Sequence, residues 1–249
     1  MEAHAHTHTE RKKWTHYFWE FFMLFLAVTL GFLVENQREH YIEHQREKKF
    51  AALLYEDLKK DTLFINRIID IKEWRNGKID SLFYFLSQPT LQENATAIYY
   101  YTQFLDIDLP FKPNDATIQQ LRSSGSLRYF SNLKLYNEIS VYYSDCSFYI
   151  DREEEGVNNT MLLSVTPKLF NAQKMYSFLK VTADIKDAVH YPTGKMELLT
   201  TESKTINELL MYAKKIKKSN DVALMLLKGF IVQELKTLME ELKKEYKLK

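Results

Sequence analysis

The pattern with the most specific chemical meaning is His40-Tyr41-Ile42-Glu43-His44, which reads H-x-x-E-H. Two histidines four residues apart lie on one side of a helix and can bind one Zn²⁺, while the glutamate activates water, as in inverted zinc metalloproteases. The neighbouring residues are polar and form no dry pocket, and the sequence identifies no third zinc ligand. We therefore interpret His40 and His44 as residues of a solvated helix, with metal binding as the alternative.

Three further histidines, His4, His6 and His8, alternate in a polar amino-terminal tail. A flexible chain could gather them around Zn²⁺, Cu²⁺ or Ni²⁺. We expect instead a solvated tail without metal. No nucleophile elbow or phosphate-binding glycine loop is evident, so the sequence predicts no catalytic residues, no cofactor and no enzyme.

Two other reactive residue types have simpler interpretations. Cys146, the single cysteine, lies on a predicted apolar helix face and is expected to be a small core residue. Asp106 and Asp108 precede a proline-containing loop and are expected to be turn residues, with a divalent-cation site as the alternative. The one cysteine also excludes an internal disulfide.

The longest apolar stretch of the chain covers residues 14–34, and none of the residues 21–34 is charged. A helix rises about 1.5 Å per residue, so 17–34 would cover about 27 Å, close to a hydrocarbon core of about 30 Å. Trp14, Tyr17 and Trp19 cluster where aromatic rings favour the membrane interface. We predict a single transmembrane helix here, with the lipid bilayer as its partner.

Two other interpretations of this stretch compete with a transmembrane helix. A cleaved signal peptide suits the basic start, but Leu33-Val34-Glu35-Asn36-Gln37 contains no small-x-small cleavage site. A buried core helix suits the size of the chain, but this segment is apolar on all sides and a polar stretch follows it.

Glu20, Ala27 and Gly31 are the candidate contact residues within the span. Ala27 and Gly31 form a small-xxx-small pair, which allows two helices to approach closely. A carboxylate at membrane depth is costly, so Glu20 either reaches the headgroups, pairs locally with Lys13 or His16, or serves a protein partner or a proton. These residues predict a homo-oligomer or a contact with another membrane protein.

The basic residues near the span predict its orientation. Arg11, Lys12 and Lys13 precede it directly, whereas the basic residues that follow are more distant and interleaved with glutamates. The positive-inside rule then places the amino terminus in the cytoplasm and the body in a periplasm, with the helix in the inner membrane. The net charge of +1 gives no indication of nucleic-acid binding.

The rest of the chain predicts an all-α protein. Glycine and proline are scarce, at six and five residues, which argues against a turn-rich β fold. We expect a tail (1–13), the transmembrane helix (14–34), a polar helical stalk (35–49) continuous with it, and an antiparallel helical bundle (50–249). An apolar stripe, interrupted by Lys72 and Arg75, extends the first helix to about residue 87. Further helices are predicted near 94–106, 116–123, 131–164, 171–190, 205–218 and 222–247, with a break at 219–221.

Two parts of the chain resemble a family of single-pass membrane proteins of Bacteroidota that is grouped as a domain of unknown function. The first is the membrane segment with Glu20 at its entrance and 35–37 at its exit. The second is the run 115–128, followed by the paired tyrosines Tyr142 and Tyr143, in which the family motif is represented by Leu121, Ser123, Ser124, Gly125 and Leu127. The exit of the membrane segment at 35–37 lacks the tryptophan that many members of this family have. The resemblance covers about residues 12–145 and implies an inner-membrane helical protein without implying an activity.

Two functions are compatible with these features. The first is a non-enzymatic, membrane-anchored component of an envelope protein complex that acts by binding proteins, including itself. The alternative is a periplasmic helical sensor or small-ligand or metal-binding domain that passes its signal to a partner, because helical bundles bind small molecules between their helices.

Overall fold

The computed structural model of the protein describes residues 14–156 and 160–248. It is 77% helical, and the predicted all-α fold is confirmed. Within the described residues the only strand-like pairing is a single antiparallel bridge between Leu179 and Val189. The chain divides into two compact units, Met1–Phe50 and Ala51–Lys249.

Helix α1 covers Trp14–Leu86 and ends within one residue of the predicted position. It stays helical because no proline occurs in it and because its polar stretch carries supporting side-chain pairs. Arg38, for example, donates two hydrogen bonds, of 2.6 and 3.0 Å, to the Glu35 carboxylate one turn earlier. The described part of the first unit consists of α1 residues 14–50.

The second unit is a helical bundle that begins with α1 residues 51–86. The other α-helices of its described part are α2 (Ala95–Thr102), α3 (Ala116–Ser123), α4 (Leu133–Gly156), α5 (Thr160–Leu169), α6 (Ala172–Met175), α7 (Ser203–Leu226) and α8 (Val232–Tyr246). Short 3₁₀ turns occupy Gln103–Leu105, Ser126–Tyr129 and Ile185–Asp187. Helix α7 packs against α4 and α5, and α8 packs against α4.

The predicted apolar stripe of α1 forms part of the core. All seven of its residues are buried: Leu54, Leu58, Ile65, Ile68, Ile79, Leu82 and Leu86. Their spacing follows the helical period, so one side of α1 is covered by the rest of the unit. A cluster of aromatic residues from α2 and the segment after α5 packs on it, including Tyr99 edge-on to Phe170 at 4.6 Å.

Three predictions about helix boundaries are wrong. Helix α5 ends at Leu169, beyond the predicted end near 164, and contains Pro167. Residues 171–190 contain only the one-turn helix α6 and a 3₁₀ turn, because Asn171 and Asp184 each accept hydrogen bonds from backbone amides that start short turns. The predicted break at 219–221 does not occur, and α7 continues through it to Leu226. Asn220 is buried there and bonds to α1, so tertiary contacts override its low helix propensity.

Candidate functional site

The apolar segment at the start of α1 is exposed along its length. An 18-residue window of it has a mean hydropathy of 1.9 and none of it is buried within the protein. Side chains as large as Trp14 and Phe32 are 84% and 72% exposed. This helix therefore has the length and composition to cross a membrane, and the core-helix interpretation is wrong.

Glu20, Ala27 and Gly31 lie on one face of this segment. Ala27 and Gly31 follow Glu20 by 7 and 11 residues. At about 100° per residue, each lies within about 20° of Glu20 around the helix axis, so all three project from the same side. Ala27 and Gly31 are exposed, and no atom lies within 4 Å of the position that a Gly31 Cβ would occupy. The face thus combines a shallow apolar surface with one carboxylate.

Glu20 also has a local contact. Its Oε1 lies 3.0 Å from Nε2 of His16, one turn earlier, and the two side chains are about half exposed. This is one of the local pairings that the sequence left open. The ion pair forms when the imidazole is protonated, and it leaves the carboxylate accessible on the helix surface.

The histidines of the H-x-x-E-H pattern each lie beside a glutamate one turn later. His40 Nδ1 is 3.7 Å from Glu43, and His44 Nδ1 is 3.3 Å from Glu47. Among residues 14–156 and 160–248, no three histidine, cysteine or acidic side chains come together as metal ligands. His4, His6 and His8 lie outside the described residues.

A buried ionic centre forms where Lys72 and Arg75 interrupt the stripe of α1. Lys72 Nζ lies 3.0 Å and Arg75 Nη1 3.1 Å from the carboxylate of Asp108, which follows α2. Burial opposes the ionised form of Asp108, but the two cations outweigh it, and the pKa of this carboxyl lies below its ordinary value. This charge compensation explains how two cations are tolerated in the core.

Arg75 also connects α1 to two other elements of the second unit. Its guanidinium donates to the backbone oxygens of Phe104 and Leu105 at 2.9 and 2.6 Å, and to the side-chain oxygen of Asn220 at 3.2 Å. Asn220 in turn donates to the Asn76 side chain at 3.1 Å. The centre therefore fixes α7 and the 3₁₀ turn Gln103–Leu105 on α1, and Asp108 has a structural role in it.

A second buried polar centre lies nearer the start of this part of α1. Asp61 accepts hydrogen bonds from the backbone and side chain of Asn114, at 2.8 and 2.6 Å, and from Tyr142 at 2.8 Å. Asp57 accepts a hydrogen bond of 2.5 Å from Thr117. Burial raises the pKa of Asp61 despite these donors.

The paired tyrosines belong to this centre. Tyr143 donates to the Asn114 backbone oxygen at 3.0 Å, and burial raises the pKa values of both Tyr142 and Tyr143. Cys146 is fully buried next to Tyr142, and burial raises the pKa of its thiol to about 12. A thiol with this pKa is protonated at neutral pH, as a core residue would be.

The residues that carry the predicted family resemblance form the end of α3 and the turn after it. Leu121 is fully buried, whereas Ser123, Ser124 and Gly125 are exposed. Ser124 donates to the Gln120 backbone oxygen at 2.7 Å, and Gly125 adopts a left-handed conformation with φ of 64°. Leu127 is half-buried in the following 3₁₀ turn. The motif thus ends α3, which Thr117 holds against α1.

One further pair of interacting residues has no signal in the sequence. Asp145 of α4 and Glu234 of α8 bring their carboxylates together beside an apolar cavity. The two residues are far apart in the chain, and no local pattern indicates their contact.

Comparison of the chain with protein-family models, with curated proteins and with solved structures finds no match. The resemblance to the Bacteroidota family therefore stays a prediction, and the function has to be argued from the geometry.

Proposed function

We propose that this protein is a non-enzymatic, membrane-anchored component of an envelope protein complex, and that it binds its partners through the helix at 14–34. The partner is a second copy of the chain or another membrane protein. The observation that carries the proposal is the shared face of Glu20, Ala27 and Gly31 on an exposed apolar helix.

The physical argument concerns what can hold two helices together in lipid. Lipid tails are as apolar as leucine, so association depends on close packing and on polar contacts between helices. Ala27 and Gly31 supply a surface without bulky side chains, which favours close approach. Glu20 on the same face is about half exposed beside His16, so its carboxylate can also accept a hydrogen bond from a donor on the partner.

The proposed location is the inner membrane, with the amino terminus in the cytoplasm and the second unit in the periplasm. The adjacent cluster Arg11–Lys13 supports this orientation. The test is a single-cysteine variant, Lys60→Cys with Cys146→Ser, labelled in intact cells by a membrane-impermeant maleimide. Lys60 is exposed in the second unit, so labelling is expected. If the Lys60→Cys variant is labelled only after lysis, the orientation is the opposite one, with the second unit in the cytoplasm.

Membrane anchoring and helix association are tested separately. The full chain is expected to remain in membranes after carbonate extraction, and release would remove the basis of the proposal. In detergent, the mass from light scattering should correspond to more than one polypeptide. Gly31→Leu and Glu20→Gln are expected to lower that mass or to abolish copurification of a partner.

Matched variants distinguish this face from a general effect on the helix. Thr29 lies nine residues from Glu20, about 180° around the helix, so Thr29→Leu adds bulk on the opposite side. Glu39→Gln removes a charge from the polar part of α1. Both should leave mass and partners unchanged. If Thr29→Leu acts like Gly31→Leu, or if neither Gly31→Leu nor Glu20→Gln has an effect, the shared face does not mediate association.

The second candidate function, ligand binding by the helical body, is supported by a different observation. A cavity lined mainly by apolar and aromatic side chains lies between α4 and the α7–α8 segment. Pockets between bundle helices commonly bind small molecules. A metabolite that raises the melting temperature by several degrees would support this function.

A further inference from the structure

The cavity has a volume of about 260 Å³ and lies within the second unit. One wall comes from α4 and the other from the end of α7 and the segment that follows it. Its lining residues are Asp145, Phe148, Tyr149, Leu226, Phe230 and Ile231. Five of these present hydrocarbon or aromatic surface, and Asp145 contributes the one charged group.

The second wall is built by an unusual backbone segment. Residues Leu227–Ile231 form a π-helix between α7 and α8. Such a segment inserts an extra residue into a helical rod, changes the direction of its side chains, and is frequent at functional sites. Here it carries Phe230 and Ile231, and Phe230 is 53% exposed although it is a large apolar residue. Phe148 on the opposite wall is 55% exposed.

Asp145 is the charged residue of the cavity lining. Asp145 meets the carboxylate of Glu234 on α8, and Glu234 has a buried oxygen without a hydrogen-bond partner. No lysine or arginine pairs with either residue in the part of the chain that the structure describes. Burial and the Asp145 contact raise the pKa of Glu234 to about 7. Two adjacent carboxylates disfavour each other's ionised form, so either a proton on Glu234 or a cation at Asp145 relieves the repulsion.

We propose that this cavity binds a small organic ammonium ion with an apolar body, whose charge lies at Asp145, next to Glu234, and whose hydrocarbon part contacts Phe148, Phe230 and Ile231. Aromatic faces attract such cations in addition to the carboxylates. A metal ion would leave the apolar walls exposed to water, and a neutral apolar ligand would leave the Asp145 carboxylate without a cation. Only a ligand with both parts matches the whole lining.

The size of the cavity limits the ligand. A water molecule occupies about 30 Å³ in the liquid, so the volume suits roughly nine non-hydrogen atoms, the size of 2-phenylethylamine. This proposal specifies the ligand class for the second candidate function. It does not depend on the membrane contacts of α1, because its residues all belong to α4 and the 226–234 segment.

The experiment compares 2-phenylethylamine with its neutral analogue 2-phenylethanol, by calorimetric titration into the full chain reconstituted in lipid nanodiscs. Empty nanodiscs measure partition into lipid. The amine is expected to bind at least tenfold more tightly than the alcohol. Asp145→Asn and Glu234→Gln should each lower the affinity for the amine about tenfold or more, and Phe148→Ala should lower the affinity for both compounds.

The control variant is Glu240→Gln, which removes an exposed carboxylate from the same helix and should leave binding unchanged. Near-ultraviolet circular dichroism verifies that each variant is folded, and Phe148→Ala alters an exposed side chain, so it retains the core. Equal binding of amine and alcohol, no binding of the amine to the unmodified chain, or unchanged affinity in Asp145→Asn would each overturn the proposal. Loss of oligomer mass in Gly31→Leu has no bearing on these outcomes, so the two proposals fail independently.

Discussion

Tyr142 of α4 donates a hydrogen bond of 2.8 Å to Asp61 of α1, and both side chains are fully buried. The two residues are 81 positions apart in the sequence. Asp61 also accepts from Asn114 in the segment before α3. One carboxylate therefore joins three parts of the second unit, and the run that carries the family resemblance is held in place through it.

Tyr142→Phe should destabilise the second unit. The substitution keeps the ring but leaves one oxygen of the buried Asp61 carboxylate without its donor, at a cost of about 1–3 kcal/mol. The free energy of unfolding is measured by urea titration of the full chain in detergent. Tyr84→Phe, which alters a tyrosine that is 62% exposed, should change it by less than about 0.5 kcal/mol. Equal effects of the two variants would contradict the role given to this bond.

The core stripe of α1 and the extent of the helix could be predicted because they depend on local spacing. Leu54, Leu58 and their successors repeat with the period of the helix, and burial of one side follows directly. The sequence also marked Lys72 and Arg75 as interruptions of this stripe. The sequence could not identify their partners. Asp108 is 36 residues from Lys72 and Asn220 is 145 residues from Arg75, so only tertiary packing brings each pair together.

The same distinction applies to the candidate sites. Ala27 and Gly31 were found from a local spacing, and their shared face with Glu20 follows from the helical period. The contact between Asp145 and Glu234 depends on how α8 packs against α4, and the π-helical segment follows α7, which continues past the predicted break at 219–221. Neither has a local signal.

Arg75→Lys should destabilise the protein more than most conservative changes. A lysine lacks the planar guanidinium group, so it cannot donate to Phe104, Leu105 and Asn220 at the same time. Because buried acceptors and the partner charge of Asp108 lose contacts, we expect a loss of about 2–4 kcal/mol in the free energy of unfolding. Arg67→Lys, at an exposed position of α1, should be nearly neutral. A loss below about 1 kcal/mol in Arg75→Lys would show that the centre rearranges without cost.

Alanine substitutions at two glycines should have opposite signs. Neither Gly77 nor Gly125 has an atom within 4 Å of an added Cβ, so only backbone conformation distinguishes them. Gly77 lies inside α1, where alanine should stabilise by about 0.5–1 kcal/mol. Gly125 has a φ of 64°, which costs an alanine about 1–2 kcal/mol. Thermal unfolding of both variants measures the difference, and a shift of the same sign in both would contradict the assigned turn after α3.

Glu234→Gln should change how stability depends on pH. The folded-state pKa of Glu234 is raised from 4.5 to about 7 by burial and by Asp145, so between these pH values the folded state binds more protons than the unfolded chain. The stability of the unmodified protein therefore falls as pH rises through this window. Because Glu234 is partly exposed, solvent screening limits the loss to about 1 kcal/mol. The glutamine variant stays neutral and should not show this loss.

The measurement is the free energy of unfolding of both proteins at pH 4.5 and pH 8.5. Glu234→Gln should match the unmodified protein at the lower pH and exceed it at the higher pH. The groups that face Glu234 are Asp145 and the thiol of Cys146. Asp145→Asn removes the charge that disfavours ionised Glu234, so it should also reduce the pH dependence of the free energy of unfolding. Glu240→Gln should leave the dependence unchanged. A difference between variant and unmodified protein that is the same at both pH values would mean that Glu234 ionises with an ordinary pKa.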